Sequence, residues 1–299
     1  DANDYYTVDP RFGTEEDLKE LIRLCDERNV KIILDLVLNH TSTGNSWFLN
    51  FRTARRNGDS SNKYYNYYTC VTASEKVGGR SYQSLTGTNY YYECNFSSGM
   101  PELNYDNPAV RDEMLNVAKY YIDLGIDGFR FDLVGLIDTD TINALMEKVH
   151  EKHPNVIFYG EGWTMGSTID GSPMANQGQI SKIEPLAGAI GGIAVFNDTI
   201  RDGLKGSVFT ATSKGYISGN GNGSFPSVLF GIKGGVGTGF SWEVKNGMVV
   251  NYMSAHDNNT LWDKLILSNG DNTVEERLAM NRLGATLLMI SKGTVFFQA

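Results

Sequence analysis

The chain has 299 residues, 41% of them hydrophobic and 20% charged, a balance that excludes a disordered or collagen-like chain and suffices for a sizeable core. Lys and Arg total 26 against 35 Asp and Glu, for a net charge of -9, so a phosphate backbone is repelled on average and nucleic acid is disfavoured as a partner. No apolar run approaches the ~18 residues needed to span a bilayer, and no targeting segment is visible.

In chain order, Thr14-Glu15-Glu16-Asp17 resembles a capping box, and Leu18, Leu21, Ile22 and Cys25 follow at helical spacing. Val30–Val37 is a nearly continuous β-branched apolar run, which predicts a strand buried on both faces. Residues 40–106 are polar and hold 8 of the 16 tyrosines between Tyr64 and Tyr92; so long a connection reads as an inserted subdomain. Asn107-Pro108 opens a helix that carries Val110, Met114, Val117, Tyr121 and Leu124 and closes at Gly125. A strand over 127–133, a helix over 140–152 and a strand over 156–160 follow. Further on, 193–196 and 248–252 read as strands, 273–291 as a helix and 294–297 as a last strand. Residues 203–247 hold 12 of the 33 glycines without the Lys-Ser/Thr of a phosphate cradle, and read as a flexible surface loop. The alternation argues for a parallel α/β sheet, and a helix before nearly every strand favours a (β/α) barrel over an open sheet.

Three cysteines (Cys25, Cys70, Cys94) without CxxC spacing give poor support for zinc or a disulfide framework. Cys25 reads as core, whereas Cys70 and Cys94 could pair in a secreted protein. Reactive groups in such barrels sit at the C-terminal ends of strands. Here Asp35, Asn39 and His40 close the first strand, Arg130 and Asp132 the second; Glu161 follows the third and His256-Asp257 the fifth. Arg130 and Asp132, two residues apart on a strand, face the same way, and a permanent cation there favours an ionised Asp132.

DLVLNH (35–40), GFRFD (128–132), GEGW (160–163) and SAHDN (254–258) resemble, in order, the four hallmark segments of the α-amylase superfamily, glycoside hydrolase family 13. Met100-Pro101-Glu102-Leu103-Asn104 resembles a fifth, with Glu102 where the family usually has Asp. The resemblance runs from about Asp4 to the last residue. It implies a (β/α)8 TIM barrel, here truncated to strands 3–8, with a small subdomain inserted after strand 3. The parts are then 1–39 (barrel), 40–106 (inserted subdomain) and 107–299 (barrel). It implies a retaining mechanism with Asp132 as nucleophile, Glu161 as general acid/base and Asp257 as third carboxylate. Arg130, His40, His256 and Trp163 correspond to substrate-binding positions, and Asn39 to a ligand of a structural Ca2+. The implied partner is an α-glucan, and the implied location is secreted or cell-surface, where starch polymers are met. Tyr64–Tyr68 and Tyr90–Tyr92 read chiefly as packing of a small sheet, with one or two touching glucan.

The front of the chain looks like α-amylases and α-glucosidases, the rear like type I pullulanases. After the expected nucleophile, Gly135 lies where amylases commonly carry a Lys-His pair. The reading therefore favours α-1,6 debranching or dual α-1,4/α-1,6 cleavage, with an α-1,4-endohydrolase as the alternative. A transglycosylase or a catalytically silent member is a further alternative.

Overall fold

The computed structural model describes residues 2–163, 174–178, 192–237, 239, 240, 242, 244 and 248–298. Two units form, in the main Asp1–Asn176 and Ile193–Ala299.

In the first unit, the capping box opens helix α1 (Glu15–Asp26). The Thr14 side chain accepts from the Asp17 N–H, and the Asp17 side chain accepts from the Thr14 N–H. Ile22 is the fully buried residue of this helix and Leu21 is 50% exposed, so most of its apolar stripe is not core. Strand β1 (Ile33–Val37) also departs from expectation. Leu36 is buried, but Ile33, Leu34 and Val37 are only half-buried and Asp35 is exposed. Among the described residues one strand pairs with β1, along one edge, and an apolar run does not by itself cover the two faces to which its side chains point.

The polar segment that follows hides an unforeseen helix, α2 (Ser46–Asn57), capped by Asn45 Oδ1, which accepts from the Trp47 N–H at 2.8 Å. Its inner face buries Trp47, Phe48, Phe51 and Ala54. Strands β2 (Cys70–Thr72), β3 (Tyr82–Ser84) and β4 (Tyr90–Glu93) form a separate antiparallel sheet in the order β2-β4-β3. Tyr67, Tyr68 and Tyr92 are buried. Tyr68 and Tyr92 each meet the Phe48 ring edge-on at 5.1 Å. Tyr67, Tyr68 and Tyr92 are thus packing residues, whereas Tyr64, Tyr65, Tyr90 and Tyr91 are half-buried. Arg55 lies between the Tyr65 and Tyr90 rings, 4.0 and 4.8 Å from their centroids, a stacked cation that ties α2 to the sheet. Cys70 and Cys94 are both free thiols. Burial pushes Cys70 up to about 11 and raises Cys94 as well, which makes both poor nucleophiles.

Asn107 caps helix α3 (Pro108–Leu124), and Gly125 closes it at φ 108°, as predicted. Strand β5 (Gly128–Asp132) pairs parallel with β1, Asp35 opposite Arg130 and Val37 opposite Asp132. Helix α4 (Thr139–His150) is capped by Asp138, and strand β6 (Ile157–Gly160) pairs parallel with β5.

The second unit holds strands β7 (Ala194–Asn197), β8 (Val249–Tyr252) and β9 (Thr294–Phe296), paired parallel in that order. Between β7 and β8 the glycine-rich stretch is not one continuous loop among the described residues. Helices α5 (Asp198–Lys205) and α6 (Gly221–Ile232) occupy part of it; residues 238, 241, 243 and 245–247 of it lie outside the described residues. The glycines serve close packing. A Cβ on Gly231 would meet Ile200 at 2.3 Å, and one on Gly203 would meet Ser227 at 2.7 Å. Helices α7 (Leu261–Ser268) and α8 (Val274–Met289) complete the unit. Its core gathers Ile200, Leu204, Val228, Met253, Leu265 and Leu288. Buried polar groups are paired as well: Asn197 Nδ2 donates to Asn251 Oδ1 at 2.9 Å. Lys264, only 2% exposed, donates to the carbonyls of Ser207, Thr210 and Ala211 and to Ser213 Oγ. Among the described residues no helix is long and apolar enough to cross a membrane.

Candidate active site

Parallel pairing of β1, β5 and β6 brings their carboxyl ends together and with them the predicted residues of the first unit. Arg130, with its side chain 7% exposed, is the hub. One guanidinium nitrogen reaches Asp132 Oδ1 at 2.9 Å and Asp35 Oδ1 at 3.5 Å, and the other reaches Glu161 Oε1 at 2.7 Å. A single planar fork thus ties together the two carboxylates that the sequence pairs as nucleophile and acid/base. Arg130 is buried, yet the three carboxylates raise its proton affinity, so the cation is permanent. Asp132 keeps its side chain 22% exposed while that of Glu161 is 8% exposed.

The backbone between these carboxylates is equally specific. Glu161 N–H donates to Phe131 C=O at 3.1 Å, and Gly135 N–H donates to Glu161 C=O at 3.0 Å. Leu133 N–H donates to the carboxylate itself, at Oε2, 3.2 Å away. Gly135 leaves no room for a side chain, because a Cβ there would lie 2.1 Å from the Trp163 carbonyl oxygen. Trp163 is half-buried, two residues beyond Glu161.

His40 is 1% exposed, and its Nδ1 lies 3.4 Å from Asn39 Nδ2. Burial lowers its pKa from 6.5 to about 4, with Asp132 opposing the shift, so His40 is a neutral hydrogen-bonding imidazole at ordinary pH. Tyr5, unmarked in the sequence reading, supports this corner. Its hydroxyl donates to the Val37 and His40 carbonyls at 2.8 and 3.1 Å, and its ring stacks on Trp47 at 5.1 Å. Tyr105 likewise donates to Leu38 C=O at 2.6 Å. A Tyr-Tyr pair or a tyrosine after an Asn carries no periodic signal of such a role.

Asn39 lines a cavity of about 270 Å³ together with Glu93, Glu102, Asp106, Asp138 and Arg80. Glu102 is 6% exposed and accepts at Oε1 from the Asn95 N–H and Nδ2, at 3.0 and 2.9 Å. Burial, reinforced by Glu93 and eased by Arg80, nonetheless pushes its pKa up to about 7. Carboxamide and carboxylate oxygens are donor chemistry that suits a hard cation, although Arg80 and Arg111 also line the cavity and Arg80 pairs with Glu93 at 3.2 Å.

In the second unit His256 and Asp257 follow β8. Their side chains are 63% and 60% exposed, with His256 Nε2 3.2 Å from Asp257 Oδ1. The segment is anchored at its ends. Ser254 Oγ accepts from the Leu261 N–H at 2.7 Å, and Lys205 Nζ donates to Asn259 C=O at 3.1 Å.

Known proteins are similar to this chain in sequence and fold. A family model described as alpha amylase, catalytic domain, matches residues 1–167. "Alpha-amylase 3" of Dictyoglomus thermophilum is 41% identical over 170 residues, 54% of this chain and 32% of that protein. A "Pullulanase" of Bacillus subtilis is 26% identical over 305 residues, 97% of this chain and 36% of that one. Among solved structures, the pullulanase of Paenibacillus barengoltzii in complex with maltohexaose and α-cyclodextrin superposes with a TM-score of 0.77 at 29% identity. It covers 99% of this chain and 42% of its own. The chain thus spans about a third of the length of these two curated relatives. With over half its residues matched by the family model and its motif residues gathered at parallel strand ends, the chain belongs to the α-amylase catalytic-domain family, a (β/α)8 fold class.

Proposed function

We propose that this chain carries the catalytic centre of a retaining glycoside hydrolase acting on α-glucans, with a preference for α-1,6 branch points. The observation that carries the reading is the single guanidinium of Arg130 bridging Asp132 and Glu161. Double displacement needs two carboxyl groups ~5–5.5 Å apart with different tasks. Asp132, the more exposed of the two, attacks the anomeric carbon and forms a glycosyl ester. The bond from that carbon to the leaving oxygen breaks as this oxygen takes the proton from Glu161. In the second half Glu161, now ionised, removes a proton from water, which displaces Asp132 and frees the sugar with its original anomeric configuration. Arg130 orients both carboxylates throughout. Neutral His40 would offer a hydrogen bond to a sugar hydroxyl. Trp163, and in the second unit His256 and Asp257, would keep the substrate-binding and third-carboxylate roles that the family resemblance implies.

Two observations support the α-1,6 preference. The likeness to pullulanases extends over nearly the whole chain. The backbone packed over Gly135 also leaves no space for the bulkier pair expected of amylases. The 41% identity of the front part to an α-amylase favours α-1,4 cleavage as the second reading. Incubating the protein with pullulan, amylose and maltotriose separates them. Maltotriose released from pullulan supports debranching, and cleavage of amylose alone overturns it. Asn39 and Glu102 would hold Ca2+, which would clamp β1 to the inserted segment without joining the chemistry. Polymeric glucans are met outside cells, which supports a secreted or surface location.

A further inference from the structure

Two non-glycine residues among those described have positive φ, Asn29 at 55° and Leu133 at 50°. Asparagine visits the left-handed region readily, whereas a leucine there is uncommon and marks a conformation that its surroundings impose. Leu133 directly follows Asp132 and is 9% exposed, so packing helps to hold the turn. The consequence of the turn is local and chemical. The Leu133 N–H leaves the strand direction and donates to Glu161 Oε2 at 3.2 Å, while Arg130 holds Oε1 at 2.7 Å. The backbone on either side is fixed by bonds from Glu161 N–H to Phe131 C=O and from Gly135 N–H to Glu161 C=O.

We propose that Leu133 is a positioning residue whose left-handed backbone aims an amide at the acid/base carboxylate, so that nucleophile and acid/base are registered through one peptide. The inference rests on the retaining-hydrolase reading of Glu161 and deepens it. A neutral amide donor favours the ionised carboxylate, the form Glu161 takes when it removes a proton from water. It also restrains rotation of the carboxylate about the Arg130 contact, leaving each oxygen a fixed direction. Leucine is tolerated because the amide, not the side chain, does the aiming.

The test follows the amide of Leu133 by 15N-leucine NMR on the full chain, alongside the pH dependence of pullulan hydrolysis. In the wild type the Leu133 amide proton is expected to titrate with the same midpoint as the alkaline limb of activity. In Glu161→Gln the titration is expected to vanish. An amide that stays flat through the limb, or that titrates equally in Glu161→Gln, overturns the inference. A second arm replaces Leu133 by its α-hydroxy acid, converting the N–H to an ester oxygen. The limb is expected to move up by about one pH unit, with kcat reduced about tenfold and KM little changed. Leu133→Gly keeps both the N–H and the backbone angle, and its limb should stay in place; a limb that moves in Leu133→Gly as far as in the ester counts against the amide. A protein that folds but hydrolyses no glucan at any pH removes the retaining-hydrolase reading itself. Hydrolysis with an unmoved limb in the ester variant removes only the role of Leu133.

Discussion

Replacing Glu102 by glutamine should change stability at one pH and not at another. The buried carboxyl has its ordinary pKa of 4.5 pushed up to about 7, chiefly by burial, so the folded state binds more protons than the unfolded state between those values. Stability from this group is therefore fully present below pH 4.5 and is lost as the pH rises through 7. The displacement corresponds to about 3 kcal/mol of cost for an ionised Glu102 well above pH 7. Glutamine is nearly isosteric and keeps an oxygen for the Asn95 donors, so it should be close to neutral at pH 5. At pH 8.5 in calcium-free buffer it should stabilise by up to about 3 kcal/mol, on the order of 1 M in urea midpoint. Urea unfolding of both proteins at both pH values reads this directly. Millimolar Ca2+ should restore the wild type at pH 8.5 and leave the glutamine variant unmoved. An equal effect of the substitution at pH 5 and pH 8.5 would refute the assignment of an under-compensated buried carboxylate.

Asp132→Asn should abolish turnover of pullulan, by about 10³-fold or more, while the thermal midpoint stays near that of the wild type; retained activity would remove Asp132 as nucleophile. Gly135→Ala inserts a methyl group where the Trp163 carbonyl would be 2.1 Å away. It should cost about 2–3 kcal/mol in urea unfolding and lower kcat. His40 has its pKa lowered from 6.5 to about 4, so the unfolded state binds the extra proton in that window. Wild-type stability should fall as the pH drops from 6.5 towards 4, and His40→Gln should flatten that fall in a series of thermal midpoints.

Much of the first unit was legible in the sequence because local and tertiary signals agreed there. The Thr14 capping box, the Asn107-Pro108 start and the Gly125 stop are side-chain and backbone requirements that any surroundings leave in place. Ordered motifs singled out the candidate site residues, and the two-residue spacing of Arg130 and Asp132 put those side chains together as expected. The ion pair of Arg130 with Glu161 was not foreseen, because the sequence left Glu161 away from any named cation. What misled was composition read without partners. Glycine at 203 and 231 looked like flexibility, but it permits two helices to approach where larger residues would collide. Helix α2 was obscured by polar flanks, although its Asn45 cap and the aromatic spacing of Trp47, Phe48 and Phe51 were present. The apolar run of β1 promised burial on both faces, whereas burial depends on what lies alongside. Leu133 gave no signal at all, since a backbone angle imposed by packing leaves no mark in residue type.

The ammonium of Lys264 sits among three carbonyls and a hydroxyl, a coordination shell of the kind a potassium ion would accept. Here the cation is covalently tethered, so dialysis cannot remove it and the ionic make-up of the medium does not set its occupancy. The segment 207–213 is therefore organised at infinite dilution as well as in brine, with no dependence on the supply of any free ion.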